Sequence, residues 1–457
     1  MSLARRSHRR PLRTSAAALA SLLLLSGCAA GAGDLGGSEN TIVIAIVSNP
    51  QMNDAIELSK EFEKDNPDIN LKFVSLPENE ARAKITASVA TGGGEFDGVM
   101  ISNYETPQWA KDGWLVNLQP YIEKTQGYDD DDIIDSIHQA LSYKGDLYSV
   151  PFYGESSFLV YRKDLFEKAG LTMPARPTWQ QVRKLAAKLD DADEGVTGIC
   201  LRGLPGWGEN LAPMNTVVNT FGGRWFTEDW KARLDSGAFK AATEFYVDLV
   251  KDYGISGAAA AGYAECSTRY SQGQAAMWYD ATAMVSVVES PGDSKVVGKN
   301  GYAPAPVVKT SASGWLYSWS LGIPKSSAHK DKAWRFLSWV TSKKYIQLVG
   351  EELGWERVPP GSRKSTYEIP QYAKVAKAYA EPTLQALSNA TQEKAIVGKV
   401  PYPGIQFVGI PEFQDLGTRV GQQVSAAIAG QISTDQALKQ AQLYADSVAA
   451  SYRGKGD

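Results

Sequence analysis

The chain beyond residue 40 alternates between short apolar runs and amphipathic stretches. The run 42–47 is apolar and rich in β-branched residues, which predicts a buried parallel strand, and 69–74 and 96–101 predict two more. Asn49 and Pro50 offer a cap and a first turn for a helix between the first two strands. Ala81, Ile85 and Val89 mark a second helix at a spacing of four residues. This βαβαβ order predicts an α/β fold with a mostly parallel sheet covered by helices on both faces.

The later part of the chain mixes the two patterns. Strands are predicted at 147–151 and 157–161, with 152–156 as a separating turn, and again at 315–323. A single amphipathic helix is predicted over 330–350, and the last third of the chain is predicted to be mainly helical.

The first residues have the pattern of a secretory leader. Five arginines precede an apolar run from Ala16 to Leu25, which is too short to span a bilayer. The run ends in Leu25-Ser26-Gly27-Cys28, the pattern of a bacterial lipobox. We therefore expect residues 1–27 to be removed as a signal peptide and Cys28 to be lipidated. Residues 28–40 would then be a flexible tether that holds the protein on the extracytoplasmic face of the cell membrane.

Composition excludes several functional classes. The net charge is −4, and loss of the arginine-rich leader makes it more negative, so nucleic acid is not an expected partner. No Cys/His ligand cluster and no glycine-rich nucleotide loop follows a predicted strand, so neither a metal nor a cofactor is expected. Cys200 and Cys266 remain after processing, either as a disulfide or as two buried thiols.

Polar residues follow the first and third predicted strands, where parallel sheets place their ligands. These candidates are Asn49 and Gln51 after the first strand, and Asn103, Tyr104 and Glu105 after the third. Asn49 also stands at the position of a helix cap, so it has a competing structural role.

A second group of candidates combines carboxylates with aromatic rings. Glu155 beside Tyr153 is the leading carboxylate, and the alternation of Trp315, Tyr317 and Trp319 places three rings on one face of a strand. The remaining candidates are Trp207, on a glycine-flanked loop, and Asp280, at the end of an apolar element. Paired carboxylates also leave open a glycoside hydrolase that uses Glu155 with Asp280 or Glu105.

Several segments together resemble the extracellular solute-binding proteins of carbohydrate ABC importers. The segments, which occur in the family's order, are Leu147-Tyr148-Ser149-Val150-Pro151, Tyr161-Arg162-Lys163-Asp164-Leu165-Phe166, Gly273-Gln274-Ala275-Ala276-Met277, Trp319-Ser320-Leu321-Gly322-Ile323-Pro324 and Lys332-Ala333-Trp334-Arg335-Phe336-Leu337. Two stretches, 151–157 and 314–319, resemble the sorbitol- and mannitol-type polyol-binding branch. The resemblance implies that Arg357 faces the ligand, as such an arginine often does in this family, and Arg363 competes for that role.

The resemblance implies two α/β lobes joined by a hinge of crossing segments, with the ligand cleft between them. The N-terminal lobe is expected at 41–152, completed by about 281–335, and the C-terminal lobe at 153–280, completed by about 336–457. The implied function is capture of a polyol such as sorbitol, mannitol or xylitol by hinge closure. The implied partner is an ABC permease, and the protein itself would be a monomer and not an enzyme. A mono- or disaccharide ligand stays an alternative, as do a secreted glycoside hydrolase and a lipoprotein that serves only adhesion.

Overall fold

A computed structural model describes residues 40–453 of the protein. Lipidation at Cys28, cleavage after residue 27 and nearly all of the 28–40 tether lie outside these residues. Among the described residues, no helix has the length and hydropathy needed to cross a bilayer.

A five-stranded sheet forms the first half of the fold. Its strand order is Asn70–Leu76, Thr41–Val47, Gly98–Ser102, Tyr317–Gly322 and Ser149–Glu155. The first three strands are parallel, as the βαβαβ pattern predicts, and the last two pairings are antiparallel. All seven residues of Ser149–Glu155 are buried, so residues 152–155 continue the strand and do not form the predicted turn.

A three-stranded sheet forms the second half, with the order Met277–Ala281, Ser157–Arg162 and Asn300–Pro304. Both of its pairings are antiparallel, which differs from the mostly parallel sheet that was expected in each lobe. Strand 300–304 therefore belongs with the second sheet, although the predicted boundaries place it in the completion of the N-terminal lobe. Only Ser156 separates the last strand of the first sheet from the first strand of the second, so the chain crosses between the sheets beside Glu155.

Helices cover both sheets. They are Pro50–Asp65, Glu78–Thr91, Glu105–Lys111, Gln119–Ile122, Asp135–Ala140, Lys163–Lys168, Trp179–Leu189, Leu211–Phe221, Gly237–Tyr253, Tyr263–Ser271, Val285–Val288, Lys330–Val340, Lys343–Glu352, Pro370–Val375, Ala380–Asn389, Gln392–Ala395, Phe413–Ile428 and Thr434–Tyr452.

Helix ends follow local sequence signals in most places. Asn49 caps the first helix by accepting a hydrogen bond from the Met52 amide, and Thr178 forms a capping box with Gln181. The predicted single helix over 330–350 is two helices, because Ser342 caps a new helix through the Tyr345 amide. A capping serine inside an apolar period therefore ends one helix and begins the next.

Cys200 and Cys266 form a disulfide, with Cα atoms 5.6 Å apart. The bond closes a loop with a sequence separation of 66 residues. For such a loop the chain-entropy model gives a stabilisation of about 4 kcal/mol.

Because either substitution removes the same bond, Cys200→Ala and Cys266→Ala should lower the melting temperature of the ligand-free protein to a similar extent. Thermal melting with and without reductant checks this, because the variants should not respond to reductant. Two free thiols titrated in the denatured, unreduced wild type would contradict the bond.

Candidate functional site

A cavity of about 360 Å³ lies where the two sheets meet. This volume lies within the range of small-molecule sites. The ends of strands Thr41–Val47, Ser149–Glu155 and Met277–Ala281 reach its wall, together with the beginning of helix Glu78–Thr91. The polar and aromatic side chains that line it include Asn49, Gln51, Glu78, Arg82, Tyr153, Glu155, Arg202, Trp207, Glu209, Tyr263, Tyr317, Trp319, Gln406 and Phe407.

Arg82 is the central cation on the side of the first sheet. Its guanidinium lies 2.9 Å from Glu78 and 3.2 Å from Glu105, and it donates a 2.6 Å hydrogen bond to the Tyr317 hydroxyl. The side chain is buried because Arg82 shares the packed face of its helix with Ile85. A buried arginine with two carboxylates and a hydroxyl is held in one position, so it offers a fixed donor to a ligand.

Two indole rings enclose this guanidinium. The centroid of the Trp207 ring lies 4.2 Å from the guanidinium carbon of Arg82, and that of Trp319 lies 4.4 Å from it. Both distances are short enough for cation–π attraction. Tyr104 packs behind Trp207 with ring centroids 4.7 Å apart and donates a hydrogen bond to the carbonyl of Ile410. Tyr104 therefore supports the Trp207 ring from behind.

Arg202 is the corresponding cation on the side of the second sheet. Two of its nitrogens lie 2.8 Å and 2.5 Å from the two carboxylate oxygens of Asp280, which is fully buried. A third nitrogen lies 3.6 Å from Glu209 and donates to the carbonyl of Gly208 at 2.9 Å. The Tyr263 ring covers the guanidinium at 5.2 Å. This bidentate pair fixes Arg202 at the cavity wall.

Glu155 differs from the other carboxylates of the site. Only 6% of the residue is exposed, and within residues 40–453 its carboxylate has neither a hydrogen-bond donor nor an ion-pair partner. Burial raises the pKa of Glu155 to about 8, although Arg202 partly opposes the shift. Burial and the neighbouring Glu78 likewise raise the pKa of Glu209. Burial therefore favours the protonated form of the Glu155 carboxyl at neutral pH.

The cavity brings together seven of the residues that the sequence singled out. Asn49 accepts its capping hydrogen bond through Oδ1 and donates through Nδ2 to the Tyr153 hydroxyl at 3.2 Å, so capping and cavity roles coexist. Gln51 donates to Ser286 at 2.7 Å. The set of seven is Asn49, Gln51, Tyr153, Glu155, Trp207, Tyr317 and Trp319.

The three candidates after the third strand do not line this cavity. Asn103 accepts from the Ser318 amide at 2.9 Å and so extends the pairing of the strands. Tyr104 supports Trp207 from behind, and Glu105 is buried between Arg82 and the amide of Ser102. All three side chains contact residues that form the cavity wall or support it. Their hydrogen-bonding groups are therefore largely used within the protein and are not directed at a ligand.

Four further candidates also lie away from the cavity. Asp280 stands behind Arg202. Trp315 precedes the strand Tyr317–Gly322 and is fully buried near the ring of Tyr279. Arg357 pairs with Asp54 and Asp293, while Arg363 is buried against the carbonyl of Thr341 and near Asp132. Neither Arg357 nor Arg363 therefore faces the cavity.

Sequence reasoning missed both arginines that do line the cavity. The sequence does contain an indication for Arg82. It lies at helical spacing from Ile85 and Val89, so it places a cation on a helix face that is otherwise apolar. For Arg202 the signal was weaker, a charge directly after the apolar run 199–201. Glu78, Glu209, Tyr263, Gln406 and Phe407 carried no distinctive pattern. No group of three or more possible metal ligands occurs within the described range.

Comparisons with known proteins agree with this architecture. The chain is 45% identical over 403 residues to a mannitol-binding protein of Pseudomonas aeruginosa, covering 88% of this chain and 91% of that protein. It is 44% identical to an ABC transporter solute-binding protein of Agrobacterium vitis with bound D-mannitol, at a TM-score of 0.88 and over 90% of this chain and 99% of that structure. A solute-binding protein of Agrobacterium radiobacter in complex with ribitol has 26% identity and a TM-score of 0.78, over 90% and 99% of the two chains.

The expected α/β solute-binding fold is confirmed by these structural matches, and the family is one of binding proteins and not of enzymes. The sequence model of the family of bacterial extracellular solute-binding proteins matches residues 49–347, and the chain therefore belongs to that family.

Proposed function

We propose that the protein is the extracytoplasmic binding subunit of an ABC importer and that it captures a linear polyol of the mannitol type. The observation that carries this proposal is the wall of the cavity. It combines a buried carboxylate without a partner, two fixed guanidinium groups and two indole rings around about 360 Å³.

Each part of the wall suits a chain of hydroxyl groups. Glu155 can exchange hydrogen bonds with two adjacent hydroxyls, while Arg82 and Arg202 donate without moving. The apolar carbon edge of a polyol can pack on Trp319 and Trp207. Buried polar groups that need a hydroxyl partner also disfavour analogues that lack one.

The comparisons support the same ligand class. The Pseudomonas aeruginosa relative is named for mannitol, and the two solved structures hold D-mannitol and ribitol. A ligand that contacts both sheets would favour a closed arrangement, and an ABC permease would then receive the loaded form. Anchoring through Cys28, and lobes that follow the two sheets, are part of this proposal.

A thermal-shift screen tests the ligand class. A protein that begins at residue 29 lacks the proposed lipidation site and retains the hydrophobic core, which lies within residues 42–449. Unfolding and refolding with the disulfide intact removes carried-over ligand. At a ligand concentration of 100 times Kd, mass action adds about 2.7 kcal/mol to the stability of the folded state. D-Mannitol should therefore raise the melting temperature by several degrees, and maltose should not.

The other outcomes are equally informative. A shift with a mono- or disaccharide alone would keep the transport role and reject the polyol. No shift with any carbohydrate would reject the proposed function.

A further inference from the structure

Carboxyl groups outnumber guanidinium groups in the cavity wall and directly behind it. Arg82 is shared between Glu78 at 2.9 Å and Glu105 at 3.2 Å. Arg202 is shared between Asp280 at 2.5 Å and Glu209 at 3.6 Å. Two cations are thus already divided among four carboxylates before the fifth, Glu155, is considered.

Glu155 is the carboxylate left without a counter-ion. It lies on the cavity wall, is 94% buried as a residue, and has no donor among the described residues. The charged groups that face it are Arg202 and Arg82, which favour its ionised form, and Asp280 and Glu78, which disfavour it. Before a ligand binds, a proton on Glu155 therefore supplies the missing positive charge.

We propose that the cavity selects by charge as well as by hydroxyl pattern, so that it also binds protonated 1-amino-1-deoxyalditols with the ammonium group against Glu155. This inference rests on the proposed polyol function. An ammonium group can replace the proton on Glu155 and forms a charge-assisted hydrogen bond with the ionised carboxylate. A sugar acid of the same length would bring a further negative charge among these carboxylates and is excluded.

Calorimetric titration with three ligands of equal chain length tests the inference. The ligands are D-mannitol, 1-amino-1-deoxy-D-mannitol and D-mannonate, each titrated at pH 7 in two buffers of different ionisation enthalpy. We expect the amine to bind within about tenfold of mannitol or more tightly, with release of close to one proton per site. Mannonate should bind at least about 100-fold more weakly than mannitol. Proton release makes the measured binding enthalpy of the amine depend on the buffer. The binding enthalpy of mannitol should be the same in both buffers.

Glu155→Gln isolates the carboxylate. Glutamine keeps a donor and an acceptor for hydroxyl groups but cannot act as a counter-ion. The variant should retain mannitol within about tenfold, bind the amine more weakly than mannitol, and lose the buffer dependence. Glu352→Gln is the matched control, since Glu352 is exposed and lies at the end of helix Lys343–Glu352. It removes the same charge from the protein and should change none of these values.

The outcomes separate the two proposals. If mannitol binds but the amine binds more than 100-fold more weakly, or binds without proton release, selection by charge is wrong and the polyol function stands. If the amine keeps its affinity and proton release in Glu155→Gln, Glu155 is not the counter-ion. If none of the three ligands binds, both proposals fail. The wild-type buffer dependence decides the matter even if the variant does not fold.

Discussion

Replacing Asp280 with alanine is expected to lower the free energy of unfolding of the empty protein by roughly 3–5 kcal/mol, because it leaves a buried guanidinium without its bidentate partner. Asp280 also accepts hydrogen bonds from the Trp278 indole at 3.2 Å and the Ala281 amide at 2.7 Å. Glu209, at 3.6 Å from Arg202, is too distant to replace both contacts. Denaturant unfolding of the ligand-free protein measures the loss.

An exposed pair in the same chain provides the control for Asp280. Asp68 and Arg335 form a similar two-pronged contact, but their side chains are 51% and 42% exposed. Asp68→Ala should therefore lower the stability far less than Asp280→Ala does. Equal losses in Asp68→Ala and Asp280→Ala would show that burial does not control the strength of these pairs. Because Arg202 lines the cavity, Asp280→Ala should also weaken polyol binding although Asp280 does not reach the cavity wall.

Replacing Glu155 with alanine should weaken polyol binding by at least about 100-fold, because the protonated carboxyl both donates and accepts hydrogen bonds and alanine leaves the hydroxyl groups that it meets unpaired. The same change should not unfold the protein, since the carboxylate contributes no hydrogen bond or ion pair to the described fold. Titration calorimetry with D-mannitol measures the first effect, and thermal melting measures the second. Normal affinity in a folded Glu155→Ala protein would show that the binding site lies elsewhere.

The stability of the empty protein should also depend on pH through Glu155. Its pKa is raised to about 8 in the folded state, from an ordinary value of 4.5, by burial. The folded state therefore binds more protons than the unfolded state between these values, and stability falls as the pH rises from 4.5 to 8. Glu155→Ala should reduce this slope and be more stable than the wild type at pH 8. Part of the slope should remain, because the pKa of Glu209 is raised as well.

Local periodicity was sufficient for the first part of the fold. Three apolar runs and two amphipathic segments predict the βαβαβ unit, because strand and helix periods are properties of neighbouring residues. The pattern failed at 152–155, where a run that contains a glycine and a glutamate continues a buried strand. That strand is paired with Tyr317–Gly322, which is distant in sequence, so only the tertiary pairing could reveal it.

The sequence by itself determined the class of protein and seven of the residues that line the cavity. Residues at strand ends and in aromatic alternation, such as Gln51, Glu155 and Trp319, lie where those patterns place them. Only the tertiary structure decided the charge arrangement, because each arginine meets partners from separate parts of the chain. Arg82 meets Glu105 and Tyr317, and Arg202 meets an aspartate 78 residues away. Ion pairs act through distance in space, and spacing along a chain does not encode that distance.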